Sequence, residues 1–189
     1  MAIELEAKLK VDDFAPVRVA LREQSAELLG AVHEVNHILD RPNDPLGPRG
    51  MALRVRGVRV VTGREVAATL TFKGPATETR FKSREELEVA VTDADQTLAI
   101  LTAVGFTVEL LYEKRRESWR LGDCLIELDE VPVLGRFVEI EGPSVARIEE
   151  VRSVLGLTEA GTIRRGYVAR LLEHCVAAKV TDRRMRFAD

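Results

Sequence analysis

The chain has 189 residues, 46% of them hydrophobic, which is enough for one substantial core and is in keeping with a single domain. Its 28 basic and 31 acidic residues nearly cancel to a formal net charge of -3, so no broadly basic nucleic-acid or membrane surface is expected. Cys124 and Cys175 form neither a CxxC pair nor a Cys/His cluster, the opening MAIELEAKLK lacks a signal-peptide core, and no stretch approaches the roughly 18 apolar residues of a membrane span; a soluble protein of the reducing cytoplasm is the expectation.

The first segment alternates strictly. Ile3, Leu5, Ala7 and Leu9 point one way and Glu4, Glu6, Lys8 and Lys10 the other, the period of a strand with one apolar and one charged face. From Asp12, an N-cap candidate, to about Leu29 the positions Phe14, Val17, Leu21 and Leu28 follow helical spacing, with Gly30 as a stop. A strand over Val32 to Leu39 runs into RPNDPLGPRG, whose Pro, Gly, Asn and Asp content predicts a mobile loop. Two alternating runs, Leu53 to Arg56 and Ala67 to Lys73, flank a turn near Thr62-Gly63 and predict a hairpin. SREELEVAV from Ser83 is a further charged run, and Asp93 to Val104 reads as a helix capped by Asp93 and closed by Gly105. Strands are predicted over Phe106 to Leu121, Cys124 to Val131 and Arg136 to Glu141, and helices over Ser144 to Leu155 and Ile163 to Val176. Residues 1–178 are read as one domain, and TDRRMRFAD as a frayed tail or a surface attachment.

The charged strand face recurs. Arg54 and Arg56, Glu86 and Glu88, Lys114 and Arg116, Glu127 and Asp129, and Glu139 and Glu141 are all i, i+2 pairs. One such stripe is the ordinary wet face of a half-buried strand, but the repetition predicts a sheet rolled around a charged interior. Ile3, Leu5, Leu53, Val55, Cys124, Ile126, Leu128, Val138 and Ile140 would then point outward beneath the helices. Enclosed charges are costly unless paired or bound to ions. Lys8, Arg54, Arg56, Lys73, Lys114 and Arg116 suit the oxygens of an extended polyanion, and the carboxylates of Glu4, Glu6, Glu86, Glu88, Glu127, Asp129, Glu139 and Glu141 suit a hard divalent cation.

ELEAK at 4 to 8 fits an ExExK signature, and LRVR at 53 to 56, TFKG at 71 to 74, the Glu86/Glu88 pair, KRR at 114 to 116, IELDEVPVLGRFVEIEG at 126 to 142 and Tyr167 follow in order. In these motifs the chain resembles the CYTH, or triphosphate tunnel metalloenzyme, superfamily over nearly its whole length. The resemblance implies an α+β fold with a closed eight-stranded antiparallel β-barrel, helices packed on its outside, triphosphate-containing substrates and dependence on Mg²⁺ or Mn²⁺. It also implies that Glu4, Glu6, Glu139 and Glu141 hold metal at the catalytic centre, that Asp129 joins them or positions water, and that the six basic residues bind the phosphate chain. For Glu86, Glu88 and Glu127, metal or catalytic roles stand level with simple pairing to a neighbouring Arg. Gly166 departs from the Ser that often precedes the family's Tyr.

Hydrolysis of a triphosphate is the expected chemistry. Class IV-type cyclisation of ATP is the runner-up, with a weak lean toward it from HEVNHILDRPND, and a non-catalytic polyphosphate-binding module is the reading from another class. A small-molecule partner is expected, with no nucleic acid or membrane and with a homodimer as a possible assembly. His33, His37 and His174 share no metal spacing, Trp119 and Cys124 read as packing, and Arg183, Arg184 and Arg186 as a solvated cluster.

Overall fold

The computed structural model describes residues 5–60, 65–75 and 85–188. Eight strands form one sheet in the order β1 (Glu6–Val11), β8 (Gly135–Glu141), β7 (Cys124–Val131), β6 (Thr107–Leu121), β2 (Glu27–Asp40), β3 (Ala52–Val60), β4 (Glu65–Lys73) and β5 (Glu86–Val91), every pairing antiparallel. The expected barrel is not closed by hydrogen bonds: among the described residues β1 and β5 do not pair. The far edge of β1 instead meets the segment before the last helix, through a Leu9–Thr162 bridge and a bond from the Ile163 amide to the Lys8 carbonyl. That contact also explains why residues from Ile163 do not begin the last helix as predicted, since a backbone committed to a strand edge cannot be helical.

Strand parity sorts the side chains as the sequence predicts. On the outer face Ala7, Leu9, Ile126, Leu128, Val138 and Ile140 are buried beneath α1 (Ala15–Glu23) and α3 (Val145–Val154), and Val55 and Ala68 beneath α2 (Ala94–Ala103). The Asp93 and Ser144 side chains cap α2 and α3 by accepting from the Gln96 and Arg147 amides. The first helix is shorter than the helical spacing suggests. It ends at Glu23 with Gln24 as its C-cap, Ser25 turns left-handed at φ 56°, and Leu28 already belongs to β2. Gly30 is therefore no helix stop but a bulge residue, at φ 147°, where the β2–β6 register shifts.

The fourth helix, α4 (Tyr167–Ala177), corrects the expectation that all helices lie outside. Its Tyr167, Leu171 and Cys175 pack with Ile38, Leu110, Tyr112, Val131 and Phe137, which share the inner strand faces with the charged residues: Phe137 alternates with Glu139, and Tyr112 with Lys114. Each of these strands thus carries an apolar end and a charged stretch on one face, and α4 covers the apolar end. The tail takes the second of its two expected forms, a surface attachment. Arg184–Met185 forms β9, parallel to β6, with Met185 buried in the same cluster and Glu113 accepting from Arg186 and the Phe187 amide. Among the described residues no helix is long and apolar enough to cross a membrane.

Removing a side chain as deeply buried as Leu171 costs about 2–5 kcal/mol. Leu171→Ala should lose that much in urea unfolding. A loss below about 1 kcal/mol would show that α4 does not seat on the inner face.

Candidate functional site

The predicted charged side chains converge on the inner face, and the antiparallel register sets their neighbours. Lys114 stands opposite Glu34, Arg116 opposite Asp129, Glu127 opposite Glu139, Lys8 opposite Glu139, and Glu6 opposite Glu141. The Lys114 ammonium, 2% exposed, lies 3.1 Å from Glu34 and 3.3 Å from Asp129. Arg116 takes both Asp129 oxygens at 2.6 Å, reaches Glu139 at 2.7 Å and pairs closely with Glu127. Asp129 is fully buried and also accepts from the Tyr167 hydroxyl at 3.1 Å, so both its oxygens are taken up by donors. Lys8 reaches Glu139 at 2.8 Å and Glu6 at 3.0 Å, with its ammonium 4.4 Å above the Tyr167 ring.

These pairings decide the protonation states. Burial works against the Glu34 charge, yet Lys114, Arg56 and Arg116 bring its pKa down to about 2. Burial likewise opposes the Lys8 ammonium, but Glu139 and Glu6 hold its pKa above the ordinary value; Lys8 and Arg116 in turn keep Glu139 well below the carboxylate range against its own burial. Glu127 is the exception. Burial, helped by Asp129 and Glu139 and opposed by Arg116 and Lys114, pushes it up to about 7. Burial and the nearby carboxylates raise Tyr167 well above its usual value, so it remains a donor.

On β2, β3 and β4 the balance is reversed. Asn36, Arg56 and Thr69 form one rung, and Arg54, Thr71 and Glu88 the next. Arg56 donates to Asn36 at 3.0 Å and pairs with Glu34 at 3.1 Å, while Arg54 donates to Thr71 at 3.3 Å and lies 3.8 Å from Glu88. Lys73 pairs with Glu86, and Thr71 donates to Glu88 at 2.6 Å. Burial, and next Arg56, lower the Arg54 pKa. Among the described residues Arg54 Nε, Asn36 Nδ2 and Thr69 Oγ1 are buried with no hydrogen-bond partner. Buried donors left without a partner beside Arg54 and Arg56 are what an incoming anion would satisfy.

Glu86 thus lies against Lys73, and Glu88 against Thr71 and Arg54. Glu4 lies outside the described residues. Within them, no three His, Cys, Asp or Glu groups are placed to hold a metal ion together. The register sets Glu6 opposite Glu141 and Glu127 opposite Glu139; a hard cation takes one or two protein carboxylates and completes its shell with phosphate oxygens, and at Glu139 it would have to displace Lys8 or Arg116, each of which holds one of its oxygens. Glu34, Asn36 and Thr69 were not singled out from the sequence, although Glu34 and Asn36 carry the same i, i+2 signature in HEVNHILD. His37 lies on the other strand face, opposite Val55, and burial lowers its pKa. Trp119 and Cys124 are core residues.

Residues 2–167 match the family model described as the CYTH domain, and the chain belongs to that family. A Methanocaldococcus jannaschii protein named "Putative adenylate cyclase MJ0240" is 28% identical over 153 residues, 81% of this chain and 83% of that one. The PH1819 protein of Pyrococcus horikoshii OT3 superposes with a TM-score of 0.77 at 29% identity, covering 90% of this chain and 99% of its own. HpAC1 of Hippeastrum, described as an adenylyl cyclase candidate in which triphosphatase activity dominates, shares the fold at a TM-score of 0.72 and 16% identity, over 92% of this chain and 96% of its own.

Because folding raises the Glu127 pKa from 4.5 to about 7, the folded state holds this proton more tightly than the unfolded one. The stability it contributes is complete below about pH 4.5 and is lost as pH rises through 7. In metal-free buffer Glu127→Gln should lack that loss and exceed the parent protein by on the order of 1–3 kcal/mol at pH 8. Parallel stability curves for the two proteins would show an ordinary Glu127.

Proposed function

We propose that the protein is a metal-dependent triphosphatase acting on an inorganic or organic triphosphate bound along the inner face. The observation that carries this reading is the pair Arg54 and Arg56, with unpartnered buried polar atoms on Arg54, Asn36 and Thr69, on the same sheet face as the opposed carboxylates of β1, β7 and β8. A triphosphate suits that region in charge, since guanidinium groups take phosphate oxygens in paired bonds. Arg54, Arg56 and Lys73 bind the chain. Lys8, Lys114 and Arg116 hold Glu139 and Asp129 in place and add positive potential where negative charge collects. Asp129, with its oxygens occupied, orders Arg116, Lys114 and Tyr167. Glu6, Glu139 and Glu141, with Glu4, are the residues proposed to hold Mg²⁺ or Mn²⁺, which when bound supplies neutralisation of phosphate charge. Phosphoryl transfer of this kind needs positioning and charge compensation more than covalent help.

Adenylate cyclisation is the second reading, supported by the name of the 28% identical relative. The two are separated by incubating the protein with tripolyphosphate, ATP or thiamine triphosphate, with Mg²⁺, Mn²⁺ or EDTA, and following products by phosphorus NMR. Metal-dependent orthophosphate supports the triphosphatase, cyclic AMP with pyrophosphate replaces it with the cyclase, and binding without turnover makes the protein a polyphosphate-binding module. Arg54→Ala should raise KM about tenfold or more, the scale of one lost charge-assisted contact, and Glu141→Gln should remove metal-dependent turnover with the fold retained. Unchanged KM in the first, or full activity in the second, would count against these roles.

A further inference from the structure

The outer face carries a charged rung of its own. Arg59, His33, Arg115, Glu130 and Arg136 stand opposite one another in register across five strands, β3, β2, β6, β7 and β8. Odd-numbered positions on β2, β3 and β6 face away from Glu34, Arg56 and Lys114, so the sheet separates this rung from the inner site. Over it opens a cavity of about 890 Å³, walled by Phe14 and Arg18 of the α1 end and by Arg186 and Phe187 of the tail. A cleft of this size accommodates a nucleotide-sized ligand.

Its acceptors are already in use. Glu117 takes three bonds from Arg18 at 2.8 to 3.2 Å and one from the Trp119 indole at 2.7 Å. Glu130 lies between Arg115, at 3.4 Å, and Arg136, at 3.6 Å. Glu113 accepts from Arg186 and the Phe187 amide and has His33 3.5 Å away, and Asp13 accepts from the Ala15 amide. The donors are not exhausted. A guanidinium presents five N–H groups, yet Arg115 and Arg186 each donate once, and Arg59 makes no ion pair or hydrogen bond among the described residues. The Arg115 guanidinium carbon sits over the Phe187 ring, 4.0 Å from its centroid. Apart from Arg116, whose side chain belongs to the inner network, the lining offers five guanidinium groups, and with its carboxylates engaged and donors to spare it selects a ligand rich in acceptors.

We propose that this outer cleft is a second anion site, for a phosphate-bearing small molecule, independent of the inner face. Trp119 is the chain's single tryptophan and hangs on the Glu117–Arg18 pair in the cleft wall, so its emission reports binding there. The test is titration of metal-free protein with inorganic pyrophosphate, followed by Trp119 fluorescence and calorimetry. It is run on the parent chain, on Arg54→Ala to weaken the inner site, and on Arg59→Glu and Arg59→Lys. Pyrophosphate should shift the emission equally in the parent and Arg54→Ala, bind at least tenfold more weakly to Arg59→Glu, and recover most affinity in Arg59→Lys. Repeating the titration with ATP assigns the source: tighter binding than pyrophosphate supports a nucleotide, and equal binding a bare phosphate anion. Loss of all binding in Arg54→Ala, or equal affinity in Arg59→Glu, would overturn the site. Neither result touches the triphosphatase reading, which is judged by turnover.

Discussion

Lys114 is held between Glu34 and Asp129 at the middle of the sheet, almost wholly out of water, and a charge so placed dictates much of what surrounds it. An ammonium in that position is tolerable only with carboxylates in contact, and those carboxylates need further donors. Arg116, Arg56 and Tyr167 supply them. Removing one member leaves another buried and unpaired, so the network behaves as a unit rather than as a set of independent pairs. The backbone register enforces the centre of it, since the links from Lys114, Arg56 and Arg116 to Glu34 and Asp129 run between residues that the strand ladder already places opposite or one rung apart.

With one sheet face given over to charge, apolar burial must be found elsewhere, and the chain finds it twice. The outer face provides the larger core under α1 and α3, with a smaller patch under α2. The second core occupies the apolar end of the inner face and is covered by α4. Tyr167 belongs to both regimes, its ring against Phe137 and Lys8 and its hydroxyl on Asp129. It ties the position of α4 to the geometry of the charged network, so helix packing and site electrostatics are not separable here.

Much of this was legible in the sequence because strands expose a strict period of two. The charged stripe from Lys8 through Glu141 and the apolar residues behind it fall on the faces that alternation predicts. What alternation does not encode is where along a strand the same face changes character. Ile38, Phe137 and Tyr112 continue the charged stripe in phase, and nothing local says that a helix from elsewhere in the chain will cover them. The overlong first helix has a similar cause: Leu28 keeps the helical spacing of Val17 and Leu21, while the break is made by the backbone of Gln24 and Ser25, neither a standard stop residue. The β1 edge contact at Thr162 and the docking of the tail on β6 are tertiary events without a periodic signature. Among site residues, Glu34 and Asn36 were hidden by the histidines and apolar residues around them, though their spacing is that of the rest.

The pairing of β1 with β8, which sets Glu6 against Glu141, has a consequence for how the molecule assembles. The two strands are separated by more than 100 residues of chain, so their contact has a high loop-closure cost and belongs among the slow, non-local steps of folding. During synthesis β1 leaves the ribosome long before β8 exists. Its free edges, and the apolar stripe of Ala7 and Leu9, must wait unpartnered while the β2–β3–β4 meander can already form. The charged stripe on its other face then has a second value: alternating Glu6, Lys8 and Lys10 with those apolar positions keeps the waiting segment soluble and discourages edge-to-edge association with other nascent chains.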